Sequence, residues 1–306
     1  MTALSERLRL PVLVAPMFLV SGPELVIAAA RAGIVGAFPA PNARRIDDLE
    51  RWCEQVTEAL DGELPWVANV IAHRTYDRLD AEIAVLSHHR PTLVITALGS
   101  PTRVLDEVHT WGGLVYADCS TPTHVEKAIA AGVDGVVLVC SGAGGHTGAY
   151  SAFSFSAEVR RFWDGPMVLA GGITDGRGLR AAEVLGAEVA YMGTRFIATT
   201  ESLVSDGQRQ MVVECAMADI VLSDAVTGVS ANWMRPSLER AGHLAPSGRG
   251  ADFSGDIADN KAWKSIWSAG HSVGGVERIS TVAEVVEELC EQYVAAGGTL
   301  RDVAPR

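Results

Sequence analysis

Short apolar runs without polar alternation recur through the first two-thirds of the chain, each followed by a longer segment with helical spacing. The runs are Val12–Ala15, Ile34–Phe38, Trp66–Ile71, Thr92–Thr96, Leu114–Ala117, Gly135–Val139, Met167–Ala170 and Val189–Met192. Brief, β-branched and apolar throughout, they predict strands buried on both faces of a parallel sheet. Between them the pattern predicts helices over Pro23–Ala32, Asp47–Leu60, Thr75–Ser87, Thr123–Ala131 and Gly178–Leu185, most closing near a glycine such as Gly33, Gly132 or Gly186. Eight β–α units in about 190 residues predict an α/β fold, a closed (β/α)8 TIM barrel. An open doubly wound sheet is the alternative, but no GxGxxG follows the first run.

After Phe196 the pattern changes. A helix over Thr200–Ala218, a short strand and turn over Asp219–Gly228, a Pro/Gly/Ser-rich stretch from Arg235 to Gly255, a segment Ile257–Ser268 and a last helix Thr281–Ala296 follow. This predicts an added C-terminal or inserted helical cap domain on the barrel mouth. The expected organisation is a barrel over 1–196, a substrate cap over 197–275 and a C-terminal helix over 276–306 that packs back on the barrel. Trp233 and Trp263 either line the pocket under this cap or fill its core; large aromatics in such segments usually pack.

The formal charge of the 306 residues is −12, with 25 basic and 37 acidic side chains and no long basic run. That argues against nucleic acid and anionic membrane as partners. The five cysteines form no CxxC pair, so they read as reduced thiols of a cytoplasmic protein. No apolar run reaches the roughly 18 residues that span a bilayer. Leu10–Val20, broken by Pro11 and Pro16, reads as a buried strand and not as a signal segment. No metal-ligand spacing, GxSxG or Walker A motif occurs.

Barrel enzymes work at the C-terminal ends of their strands. The seventh run is followed by Gly171-Gly172-Ile173 and the eighth by Gly193-Thr194. Exposed backbone N–H groups there, with the Thr194 hydroxyl, suit a phosphate monoester; otherwise these glycines only make tight turns. The sixth run leads into Cys140-Ser141-Gly142-Ala143-Gly144-Gly145-His146-Thr147-Gly148. An imidazole on a glycine-dense loop at the catalytic end is placed to take a proton near neutral pH. Ala15-Pro16-Met17 ends the first run. Asn69 in the third offers a donor and an acceptor to a heterocycle edge, or caps a helix. His73 faces the mouth or caps the following helix. His88 and His89 suit a helix C-terminus. Asp118 and Cys119 end the fifth run, and Cys140 reads as structural.

Taken in order, APM at Ala15–Met17, GAFPAPNAR at Gly36–Arg44, ANVIAH at Ala68–His73, GAGGHTG at Gly142–Gly148, AGGITDGRG at Ala170–Gly178, MGTRF at Met192–Phe196 and KAWKSIWSAGHSVG at Lys261–Gly274 resemble the nitronate monooxygenase family of FMN-dependent barrel enzymes. The resemblance implies FMN as cofactor, with His146 as catalytic base. It implies a cofactor-binding set of Ala15, Pro16, Met17, Asn69, Gly144, Gly171, Gly172, Tyr191, Met192, Gly193 and Thr194, the phosphate lying toward Gly172 and Tyr191–Thr194. The sequence departs from the family pattern at Val139, where Gln is common, at Gly142, where an acidic residue is common, and at His271, where Gln is usual. His271 would then place a further polar group over the flavin. The function implied is oxidation of alkyl nitronates by O2 to a carbonyl compound and nitrite, on a small-molecule substrate. The alternative on the same scaffold is an NAD(P)H-dependent FMN reductase of quinones or enoyl thioesters. A phosphorylated-ligand barrel without redox chemistry is a third reading.

Overall fold

The computed structural model describes residues 4–224, 226, 228–242 and 266–302 of the chain. Eight parallel strands close into a barrel: β1 (Val12–Val14), β2 (Val35–Pro39), β3 (Trp66–Ile71), β4 (Leu93–Ala97), β5 (Leu114–Cys119), β6 (Gly135–Val139), then, beyond a two-residue strand β7 (Gly145–His146) outside the barrel, β8 (Met167–Ala170) and β9 (Val189–Met192). Closure is direct, with Leu13 of β1 paired to Tyr191 of β9. An open sheet is therefore excluded.

Residues alternate along each strand. Leu13, Val35, Ala37, Val67, Leu93, Ile95, Tyr116, Val137, Val168, Ala170 and Val189 fill the lumen. Their neighbours, such as Val12, Val14, Ala68, Val94, Val136 and Ala190, pack outward against the helices. Leu4 and Leu8, at an N-terminal 3-10 turn, plug the bottom. There the Tyr116 hydroxyl donates to Glu188 Oε2 at 3.1 Å and the Ser5 amide donates to Glu188 Oε1 at 3.1 Å. The barrel is thus a packed core whose open end is the mouth.

The wall consists of α1 (Pro23–Arg31), α2 (Ile46–Ala59), α3 (Leu79–His89), α4 (Leu105–Thr110), α5 (Pro122–Ala131), α6 (Ala152–Val159) and α7 (Gly176–Val184). Local chemistry fixes their ends. Thr121 caps α5, Asp175 caps α7 and Gly132, at φ +94°, closes α5 in the left-handed conformation. One predicted start is wrong: α3 begins at Leu79, not Thr75. The Thr75 amide donates to His73 Nδ1 and the Tyr76 amide to the His73 carbonyl, so this stretch is a turn.

The short α8 (Thr194–Ile197) follows β9, and the wall position between α7 and α1 is taken by the last helix, α11 (Val282–Ala295), which packs on both. Arg195 from α8 reaches Glu288 of α11 at 2.8 Å, and Arg9 pairs with Glu287. Between them lie α9 (Asp206–Glu214), β10 (Ile220–Ser223), β11 (Ala231–Met234) and α10 (Arg235–Ala241). The predicted helix Thr200–Ala218 contracts to α9, because Ser205 caps its start and Arg209 ties down the Thr199 and Ser202 carbonyls in a turn. The described part of this segment is not all helical: β10, β11 and β7 form an antiparallel sheet in the order β10-β11-β7. Trp233 is fully buried, packs with Ala231, Leu238 and Ile266 and donates to the Ser223 carbonyl. Trp263, and most of the segments predicted over 235–255 and 257–268, lie outside the described residues.

Candidate active site

The loop after β6 carries His146 and is held from several sides. Gly145 and His146 pair with Asn232 and Ala231 of β11. The buried Asn232 amide donates to the Ala143 carbonyl at 2.7 Å, and Thr147 Oγ1 donates to the Cys140 carbonyl at 3.1 Å. Gly148 sits so close to β6 that a Cβ would lie 2.0 Å from the Val139 oxygen, which only glycine permits. His146 is thereby fixed at the mouth, half-buried, and burial pushes its pKa below the ordinary 6.5. The imidazole is neutral at pH 7, the state a base requires.

Three other loops meet this one. A Cβ on Gly171 would stand 2.9 Å from the Ser141 oxygen, and one on Gly144 would stand 2.7 Å from the Gly270 nitrogen. The Gly270 amide donates to Thr194 Oγ1 at 2.8 Å, and the His271 amide to the Gly142 carbonyl at 2.9 Å. A Cβ on Gly193 would touch Met17 Sδ at 3.2 Å and Ala15 Cβ at 3.4 Å. The structure thus brings the loops of Ala15–Met17, Gly142–His146, Gly171–Gly172 and Gly193–Thr194 to one rim. Asn69 belongs to the same end of the barrel. One of its amide hydrogens goes to the Ile95 carbonyl at 3.1 Å, so it caps no helix.

The phosphate prediction can be examined amide by amide. The α7 N-terminus is closed: the Arg177 and Gly178 amides go to Asp175 Oδ1, and the Gly176 amide to Gln292 Oε1. By contrast, among the described residues no acceptor takes the N–H of Gly171, Gly172, Ile173 or Gly193. Gly172 is exposed at φ +70°, and a Cβ there would meet nothing within 4 Å. The side chains of Tyr191 and Met192 do not join these open amides. The Tyr191 ring packs in the lumen, and the Met192 side chain is buried among the helices.

His271 is exposed, its Nδ1 3.1 Å from where a Cβ of Gly142 would be. Gly142, at φ +88°, leaves room for that imidazole, so the two departures from the family pattern occupy one spot. His73 is half-buried and hydrogen-bonds locally to Thr75. His89 ends α3 and meets Glu50 at 2.8 Å. The five cysteines are free and buried, and burial pushes the Cys140 thiol up to about 12. Among the described residues no His, Cys, Asp or Glu trio could hold a metal, and no helix is long and apolar enough to cross a membrane.

One feature escaped the sequence. Asn42, in the GAFPAPNAR stretch, is buried and staples the loop after β1: Oδ1 accepts from the Leu19 amide at 2.9 Å, and Nδ2 donates to the Met17 and Ser21 carbonyls at 3.0 and 2.8 Å. Its position just past β2 was the available signal. Asp118, named in the sequence only as the end of the fifth run, holds a buried oxygen without a hydrogen-bond partner, as does the Tyr191 hydroxyl. Strand parity places Asp118 in the lumen above Tyr116.

Comparison with known proteins agrees with this layout. The family model described as nitronate monooxygenase matches residues 40–292. A (3aS,4S,5R,7aS)-5-hydroxy-7a-methyl-1-oxo-octahydro-1H-indene-4-carboxyl-CoA dehydrogenase of Rhodococcus jostii is 30% identical over 251 residues, 79% of this chain and 69% of that protein. A nitronate monooxygenase of Paraburkholderia phytofirmans is 27% identical over 275 residues, 76% of this chain and 75% of that protein. Among solved structures, a nitroalkane oxidase from Streptomyces ansochromogenes shares the fold with a TM-score of 0.84 at 24% identity, covering 97% of this chain and 99% of that one.

Proposed function

We propose, from the premise that the chain belongs to the nitronate monooxygenase family, that it binds FMN across the barrel mouth and oxidises small alkyl nitronates with O2 to a carbonyl compound and nitrite. The open amides of Gly171, Gly172, Ile173 and Gly193 fit the phosphate of that cofactor. Ala15–Met17, Asn69 and Gly144 lie where they would border its ring. Residues 197–275 would roof the substrate as a cap. FMN, when bound, supplies the electron transfer between nitronate and oxygen; the protein binds, orients and tunes.

The observation that carries the reading is the His146 imidazole, held at this rim by the pairing of β7 with β11 and by Asn232, and kept neutral by burial. It accepts the α-proton of a neutral nitroalkane and becomes an imidazolium beside the nitronate it has made. In a partly dry site that pairing of opposite charges offsets the cost of charging a buried imidazole. A preformed nitronate bypasses the step. His146→Ala is therefore expected to lose about 10²–10⁴ in rate on nitroethane while keeping most of its rate on ethyl nitronate. Parent-like turnover of both substrates would end the base assignment.

The Rhodococcus relative, named for a CoA thioester substrate, favours one second reading, an NAD(P)H-dependent FMN reductase of quinones or enoyl thioesters. Anaerobic mixing with NADH or NADPH separates the two. Rapid bleaching of the flavin supports the reductase. No bleaching, with turnover of nitronates in air, supports the monooxygenase. A colourless protein that takes up no FMN would leave only the phosphorylated-ligand barrel.

A further inference from the structure

Strand β5, and the chain that runs from Glu188 just ahead of β9 into that strand, each bring an acid or a phenol to the lumen at two levels. At the lower level the pair is complete: the Tyr116 hydroxyl donates to Glu188 Oε2 at 3.1 Å, and the other carboxylate oxygen takes the Ser5 amide. At the upper level the roles are exchanged, with Asp118 on β5 and Tyr191 on β9. Here neither group is satisfied within the protein: Asp118 Oδ1 and the Tyr191 hydroxyl are buried without a hydrogen-bond partner. They lie close enough for the Asp118 charge to raise the Tyr191 pKa. Tyr191 is two residues below Gly193, one of the open amides, so the pair forms part of the floor beneath the rim. Buried polar groups in a folded protein nearly always have partners. Two orphans at one level, facing the mouth, mark a polar subsite on that floor.

The surroundings make it unusual. The neighbouring strands offer Ile95, Val137 and Val139 to the lumen, and Val139 is the position where the family pattern carries an amide side chain. The titratable groups near Asp118 are Tyr191 from β9 and, on its own strand, Cys119, whose thiol points to the wall and is pushed up to about 12 by burial and by Asp118. Tyr116 is engaged below with Glu188. Among the described residues no Arg, Lys or His offsets the carboxylate. Burial raises its pKa to about 7, and burial likewise lowers that of His146.

We propose that Asp118, with Tyr191 opposite, is a second proton-bearing group of this site, facing the ring of the bound flavin from below and making that flavin respond to pH. The proposal rests on the FMN reading above. Asp118 is a positioning and tuning residue in it: its carboxyl donates a hydrogen bond to the ligand when neutral, and places a negative charge beneath the ring when ionised. No bond is made or broken; one proton moves between the carboxyl and solvent.

The test uses the intact holoprotein and follows the flavin absorption band and fluorescence against pH, with free FMN in the same buffers as control. Wild type is expected to show a one-proton transition near pH 7, apart from any step due to His146, which lies below 6.5. Asp118→Asn should bind FMN and lack the transition. Tyr191→Phe, which removes the other polar group at this level and leaves the carboxylate in drier surroundings, should move the midpoint up by about half a unit or more. Persistence of the transition in Asp118→Asn overturns the proposal, as does an unmoved midpoint in Tyr191→Phe. So does a wild-type flavin whose spectrum is flat between about pH 5.5 and 8.5. If Asp118→Asn does not fold, the wild-type titration and Tyr191→Phe decide. A wild-type protein that binds no FMN overturns both this proposal and the reading it rests on, whereas a yellow protein with a flat titration overturns this proposal alone.

Discussion

Replacing Asn42 by Ala tests whether the rim is held by a specific staple. The side chain is 7% exposed and makes three hydrogen bonds to the backbone of the loop after β1, to Leu19, Met17 and Ser21. At about 1 kcal/mol net for each, their loss costs about 3 kcal/mol. Leu19 sits at φ +59°, a conformation that costs a residue other than glycine about 1–2 kcal/mol. The staple helps hold it there, so release of the loop recovers that strain. The balance is a destabilisation of about 1–2 kcal/mol, the size of a clear shift in urea midpoint. The same loop carries Ala15, Pro16 and Met17 to the rim, so FMN affinity should fall about tenfold, the equivalent of 1.4 kcal/mol. Urea unfolding of the apoprotein and fluorescence titration with FMN read the two effects separately. Asn42→Asp is the companion variant. It keeps an acceptor for Leu19 but turns a carboxylate toward two carbonyl oxygens, and should be at least as damaging. Parent-like midpoints and FMN affinity in both variants would refute the staple.

The pH profile on a neutral nitroalkane should carry an acid limb with its midpoint below 6.5, because burial lowers the His146 pKa; with preformed nitronate that limb should be missing, and a limb common to both substrates would point to another group. Asp118 has its pKa raised from 3.8 to about 7, so folding favours its neutral form. Its contribution to stability is whole below pH 3.8 and is lost as pH rises through 7. About three units at 1.36 kcal/mol each set an upper size of about 4 kcal/mol, and Asp118→Asn should be the more stable protein in urea at pH 8 but not at pH 4; equal differences at both pH values would contradict the assignment. Gly172→Ala should fold, since a Cβ there meets open space, at a cost of about 1–2 kcal/mol for its left-handed backbone. It should bind FMN more weakly by equilibrium dialysis, and unchanged binding would remove Gly172 from the phosphate site.

Strand existence was legible because strands buried on both faces leave no polar residue in the run. Trp66–Ile71, Gly135–Val139, Met167–Ala170 and Val189–Met192 have the same bounds in the sequence reading and in the structure. Helix starts were less legible where a side chain competes for the first amides, as His73 does ahead of α3. The post-barrel segment was read by propensity as a long helix, but the Thr199 and Ser202 carbonyls are committed to Arg209, a contact that no periodicity announces. The GGH loop was visible as composition. Its pairing with β11 was not, because the partner strand lies more than eighty residues downstream.

What the chain determined by itself was local: runs that must be buried on both faces, glycines where a backbone turns or is approached, and a count of units that closes a barrel. Which candidates act together was decided in three dimensions. Closure at Leu13 and Tyr191 set the strand levels, and those levels placed Tyr116 beside Glu188 yet left Asp118 and Tyr191 unsatisfied above them. Folding also spent the α7 amides on Asp175 while leaving those of Gly171, Gly172 and Gly193 open. Burial and hydrogen-bond partnership depend on what the rest of the chain brings near a residue, and that information is not carried by the residue or its neighbours in sequence.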